Sequence, residues 1–265
     1  MTASFGRIWA IALNTFREAA RLRVVYGFAV VVVLANLFAI VLGRLSVHED
    51  TRIAQDVGLG AISLVGSLTA IFLGLFLLYT EVQRRTIHAI VSKPIERWEF
   101  VVGKYTGMAL VLTLLVALFA LAMVLLLLQQ GVGVSMPVVE AIVLAWIEVL
   151  VVAAIAIFFS SFSTPFLSAI FALALWALGR VTPDIEAAAR DGAPALKVTA
   201  RIALELVPDL HLFSPSGRIV DGVATSIHTD FVSWGYVATA SLHGLGWIVA
   251  LLAVACLVFQ RRDFV

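Results

Sequence analysis

Apolar residues fall along this chain in blocks about as long as a bilayer is thick, separated by polar segments of very unequal length. A helix needs about 20 apolar residues to cross roughly 30 Å of hydrocarbon. Stretches of about that length occur near 24–43, 59–80, 101–128, 138–160, 165–181 and 237–259. The pattern predicts an all-α polytopic membrane protein with six transmembrane helices. Residues 1–22 show no compact apolar run followed by a small-residue cleavage site and are read as part of the fold, not as a signal peptide. There Arg7, Asn14, Glu18 and Arg21 share one helical stripe and Phe5, Trp9, Ala12, Phe16 and Ala20 another, which predicts an amphipathic helix in the membrane interface.

Two polar segments are longer than a connection requires. Residues 81–107 read EVQRRTIHAIVSKPIERWEFVVGKYTG and interleave Glu81, Arg84, Arg85, Lys93, Glu96, Arg97, Glu99 and Lys104 with Ile87, Ile90, Val91, Ile95 and Trp98. That alternation predicts two short amphipathic helices forming a docking element. Pro94 lacks a backbone donor and disfavours the α region at Lys93, so it divides a first helix near Arg84–Ser92 from a second that runs into the third span. Residues 182–236 form the other long segment. Its part near 184–206 is amphipathic on either side of Gly192 and Pro194, and Pro208 ends it. LVPDLHLFSPSGRIVDG follows, a turn-rich sequence whose Leu210 and Phe213 predict a cap packed on the outer helix ends. With the spans removed no piece remains long enough for a separate soluble core. The expected organisation is one membrane domain over 1–265, with an interfacial helix at 1–22, a cytosolic loop at 81–104 and an extracytoplasmic segment at 182–236.

The composition agrees: 62% of residues are hydrophobic and 13% charged, with a mean hydropathy of +1.06, as expected in a bilayer. The formal net charge of +1 gives no case for nucleic acid. Placing the N-terminus inside gathers Arg7, Arg17, Arg21, Arg23, Arg84, Arg85, Lys93, Arg97, Lys104, Arg261 and Arg262 in the cytoplasm and leaves Arg44 and Arg52 in the short outer loops, so both termini are expected inside. The single cysteine, Cys256, lies in the last span and allows neither an internal disulfide nor a thiol metal site. Gly66, Ala70 and Gly74 in the second span, and Gly103 and Gly107 in the third, repeat every four residues. Such spacing predicts close helix packing, within a chain or between chains.

Candidate chemistry is sparse. Gly103-Lys104 suggests a phosphate loop, but Trp98 stands where the first glycine belongs and Tyr105 replaces the hydroxyl ligand. ATP hydrolysis would need another polypeptide. No His-Glu-x-x-His, Gly-x-Ser-x-Gly or paired Cys occurs, and the histidines at 48, 88, 211, 228 and 243 are scattered. The polar residues expected within spans are Asn36, Glu148 and His243. An ionised Glu148 would cost about 2.5–3.5 kcal/mol on insertion scales, so it must face protein or water. Either it is neutral or hydrogen-bonded to a Ser, a Thr or Asn36 of the first span, or it serves a substrate path or proton relay. His243 reads as a hydrogen-bonded packing residue or, alternatively, a ligand.

These residues resemble the permease subunits of type-2 ATP-binding-cassette transporters, with the type V exporter fold. The resemblance rests on Glu81, Arg85-Thr86-Ile87, Ser92-Lys93-Pro94-Ile95, Arg97 and Gly103-Lys104, then on Val207-Pro208-Asp209-Leu210 with Phe213, and on Phe259-Gln260-Arg261-Arg262-Asp263-Phe264. Asp209 stands where that family often has Asn. The resemblance implies an ATPase-coupling element made of Glu81, Arg84, Arg85, Thr86, Ile87, Ile90, Val91, Ser92, Pro94 and Arg97. It also implies a partly re-entrant outer gate with Pro208 and Phe213. ATP and Mg would be bound by two cytosolic ATPase subunits, this chain holding no cofactor, and a second permease copy would complete the path. The implied function is the permease of an exporter in the bacterial plasma (inner) membrane, among membrane lipid. The alternative is a force-transmitting permease that acts on a periplasmic or envelope protein through 182–236 without moving substrate. The apolar spans lean towards a lipid-like substrate.

Overall fold

The computed structural model describes residues 2–45, 50–83, 96–129, 131, 133–190, 197, 204–214, 218–220, 223–225 and 233–260. The helices among them are α1 (Thr2–Ala20), α2 (Arg23–Leu45), α3 (Asp50–Gln83), α4 (Arg97–Gln129), α5 (Met136–Ser160), α6 (Pro165–Arg180), α7 (Thr182–Arg190) and α8 (Trp234–Gln260). Their starts follow local chemistry. Extended backbone at Ser135 and Thr164 is followed at once by Pro137 and Pro165 in the first turns of α5 and α6, where a missing N–H costs nothing.

Four helices are long and apolar enough to cross a membrane: α3 over Gln55–Leu77, α4, α5 and α8. The pair α6–α7 bends by 62° and makes a fifth if taken as one broken span. α2 occupies the first predicted stretch as a 23-residue helix. α3 begins at Asp50, well before the apolar stretch near 59. Hydropathy marks the hydrocarbon boundary, whereas a helix continues until a cap or proline stops it. The all-α architecture holds, with one small addition, a short antiparallel hairpin of β1 (Arg218–Val220) and β2 (Val223–Thr225) that pairs Val220 with Val223. Asp221-Gly222 between these strands is among the strongest hairpin signals.

α5 is the central helix, buried on nearly every side against α3, α4, α6 and α8. Glycine makes these approaches close. A Cβ on Gly66 would lie 2.7 Å from Val149 Cγ2, one on Gly74 2.6 Å from Ala156 Cβ, and one on Gly244 2.7 Å from Ile147 Cγ2. A contact of two carbons settles at about 3.5–4.0 Å, so only glycine fits. Lipid chains are as apolar as the helix surfaces, and this close packing is what holds the helices together. The four-residue spacing of Gly66, Ala70 and Gly74 in α3 is therefore used inside the chain.

Candidate functional site

α4 has 33 residues, about 50 Å at 1.5 Å per residue, and so projects beyond the hydrocarbon. α1 lies along this projecting base. A Cβ on Gly103 would meet Ile11 at 2.8 Å, and one on Gly107 would strike the Ala12 carbonyl and lie 2.6 Å from Thr15 Cβ. Ion pairs bracket this groove at both ends. Arg7 donates from Nε and Nη2 to the two Glu99 oxygens at 2.8 and 2.6 Å, and Lys104 Nζ reaches Glu18 Oε2 at 3.4 Å. Lys104 is 1% exposed, with its ammonium 5.8 Å over the Phe100 ring. The neighbouring Glu99 carboxylate raises the Arg7 guanidinium above its ordinary value.

The predicted division of α1 into one polar and one apolar stripe is thereby corrected. Arg7 and Glu18 flank the packed face with Ala12 and Thr15, while Phe5 and Trp9 point away at 72% and 46% exposure. Glycines on α4 reward a small, flat face, and the large aromatics are left for the membrane surface. Arg97 donates to the Gln260 carbonyl at 2.8 Å and to that of Phe259 at 3.4 Å. Those carbonyls belong to the last turn of α8, where cations are favoured, and Phe100 stacks on Phe259 at 5.9 Å. The base of α4 thus holds α1 on one side and the end of α8 on the other. Of the predicted coupling set, Arg97 is described with its side chain; Glu81 lies in α3 without a described side chain, and 84–95 lie outside the described residues.

A second polar cluster lies among the spans. Glu148 on α5 is 0% exposed. Its Oε2 accepts from Ser63 Oγ of α3 at 2.5 Å, and its Oε1 lies 3.5 Å from Arg180 Nη1 of α6. Arg180 also donates to Ser63 Oγ at 3.0 Å and rests on the Trp176 ring at 5.6 Å. Of the partners expected for Glu148, a serine, Ser63 of α3, is in place, and Arg180 of α6 is added to it; the Asn36 side chain is outside the description. Arg180 escaped the sequence reading because it ends an apolar run and resembles an ordinary interfacial cation. The available signal was a buried acid on one span that called for a base at similar depth on another. His243 lies on an exposed face of α8 and accepts from Trp247 Nε1 at 3.1 Å. No group of three His, Cys, Asp or Glu among the described residues could hold a metal ion.

The third feature is the predicted cap. Leu210–Phe213 is a 3-10 turn whose Leu210 and Phe213 are buried, and Pro208 is buried beside it. Asp209 Oδ1 accepts from the His211 N–H at 3.2 Å and from Thr182 Oγ1 at 2.6 Å. Gly179 of α6 lies beneath the turn, where a Cβ would be 2.6 Å from the Pro208 carbonyl; Phe213 lies against Gly244 of α8. Tyr236 donates to the Leu212 carbonyl at 2.8 Å. Pro208 and Phe213 are therefore seated among α5, α6 and α8.

No curated protein sequence matches the chain significantly. The family model described as ABC-2 family transporter protein matches residues 9–264, nearly all of a chain that crosses the membrane several times, and the protein belongs to that family as a type-2 ABC transporter permease, a membrane component and not itself the ATPase.

Proposed function

We propose that this chain is the membrane-spanning half of an ATP-driven exporter in the bacterial plasma membrane. It has six spans, both termini in the cytoplasm, and works as a pair of copies with two cytosolic ATPase subunits that bind ATP and Mg. The observation that carries the reading is the construction of the α4 base. The 84–95 segment leads directly into it, and the base is tied to α1 through Arg7–Glu99 and Lys104–Glu18 and to α8 through Arg97. Such ties suit a helix that receives a push from outside the membrane, because displacement at residue 97 is shared at once by three helices. In the coupling segment Ile87, Ile90 and Val91 would be apolar anchors and Arg84 and Arg85 the orienting rim.

The test is retention of the ATPase. Replacing Ile90 and Val91 by Asp, or deleting 84–92, should release the ATPase from the purified complex while the permease keeps its elution volume. Full retention with undiminished ATP turnover would refute the assignment.

A further inference from the structure

The corner where α6 meets α7 joins two sites that the function above leaves separate. Three of its four residues each hold a different part of the molecule. Gly179 receives the backbone of the outer turn, a Cβ there falling 2.6 Å from the Pro208 carbonyl and 2.9 Å from Leu210. Arg180 reaches inward to Glu148 at 3.5 Å and Ser63 at 3.0 Å. Thr182 reaches outward to Asp209 at 2.6 Å. We propose that Arg180 and Glu148 are positioning residues for the outer gate: they pin the end of α6 to α3 and α5, and so supply the fixed seat from which the Pro208–Phe213 turn departs when the path opens.

The unequal burial of the two attachments decides which one parts. Glu148 is fully buried, so separating it from Arg180 would leave an uncompensated carboxylate inside the helix bundle. Asp209 is only partly buried, and once released from Thr182 it can turn to water. A further polar tie of the turn, from Tyr236 to the Leu212 carbonyl, is also only part-buried. Among the polar ties the easier parting line therefore runs between the turn and the corner, and α6 stays. The bend of 62° serves this arrangement by letting Arg180 face the bundle while Thr182 faces the turn.

This inference rests on the exporter reading, and the test has separable arms. A cysteine pair, Thr182→Cys and Asp209→Cys in a Cys256→Ala chain, reports seating of the turn by disulfide yield in membranes containing the assembled complex. The resting parent should cross-link readily, and ATP with vanadate should lower the yield. Arg180→Gln should lower it by about half or more in the resting state, with Arg180→Lys recovering most of the loss. The charge-free double replacement Glu148→Leu with Arg180→Met guards against misfolding, since a buried ion pair is often replaced without loss of stability; it too should show the reduced yield. Parental yield in a normally assembled double variant would overturn the positioning role. A yield indifferent to ATP and vanadate in the intact complex, where a separate 84–92 deletion is shown to release the ATPase, would overturn the departing turn while leaving the exporter reading intact.

Discussion

Gly107→Ala and Gly60→Ala are the same substitution inside a helix, yet the structure predicts opposite signs for them. At Gly107 the new Cβ would lie 2.6 Å from Thr15 Cβ and against the Ala12 carbonyl, where carbon contacts settle at about 3.5–4.0 Å. α1 would have to withdraw by about 1 Å, and a gap of that size forfeits about a quarter to a half of each dispersion contact. Overpacking of this kind costs about 1–3 kcal/mol. Against it stands the ordinary gain from replacing helical glycine by alanine, about 0.5–1 kcal/mol. At Gly60 nothing lies within 4 Å of the added carbon, and only the gain remains. The two variants should differ by about 1–3 kcal/mol, or roughly 2–12 °C in melting temperature at about 2–4 °C per kcal/mol. Heating each purified protein in detergent and following the monodisperse fraction measures this, with Gly246→Ala as a second open-site control. A Gly107→Ala protein as stable as Gly60→Ala would show that α1 does not lie against α4 as described.

Glu148→Gln keeps an acceptor for Ser63 but removes the counter-charge of Arg180, which should cost about 2–4 kcal/mol, against about 1 for Ser63→Ala; a double-mutant cycle with Arg180→Met, read by denaturing-detergent titration, would reject the pair if the two effects add within about 0.5 kcal/mol. Glu99→Gln leaves Arg7 without its bidentate partner and should speed tryptic cleavage after Arg21, at the end of α1, by about threefold or more, whereas an unchanged rate would mean that the glycine groove alone retains the helix.

Four of the six predicted spans, five with the bent α6–α7 pair, and the capped turn were legible because their determinants are local. Apolar length announces a membrane helix, and Val207-Pro208-Asp209 followed by spaced apolar residues announces a capped turn whose Asp209 then accepts from His211 N–H. The side on which α1 packs was not legible in this way. Phe5 and Trp9 dominate any hydrophobic average over the helix, while the contact is made by Ala12 and Thr15 because α4 presents glycine there. Arg180 was missed for a related reason. Its role depends on α3, α5 and α6 meeting at one depth, which no window along the chain contains. The glycine repeats were visible, but their partners were not, since a small residue tells that something approaches and not what.

The two charge clusters differ in what they hold, and this bears on how a push applied where 84–95 joins α3 and α4 would spread. α3 is tied to the bundle at Ser63, about 30 Å from its C-terminal end at 1.5 Å per residue, with Gly66 and Gly74 as close-packed contacts between. α4 is tied to α1 and α8 within its first three turns, through Arg97, Glu99, Gly103, Lys104 and Gly107. A force applied between these helices at 84–95 thus meets two unlike lever arms. α4 would carry α1 and the end of α8 with it, while α3 meets α5 over a long contact set by the glycine approaches at Gly66 and Gly74 and by Ser160 Oγ donating to the Gly74 carbonyl at 3.4 Å. Ser63, at the far end of that contact, is also where a displacement of α3 would reach Arg180, which donates to its hydroxyl at 3.0 Å.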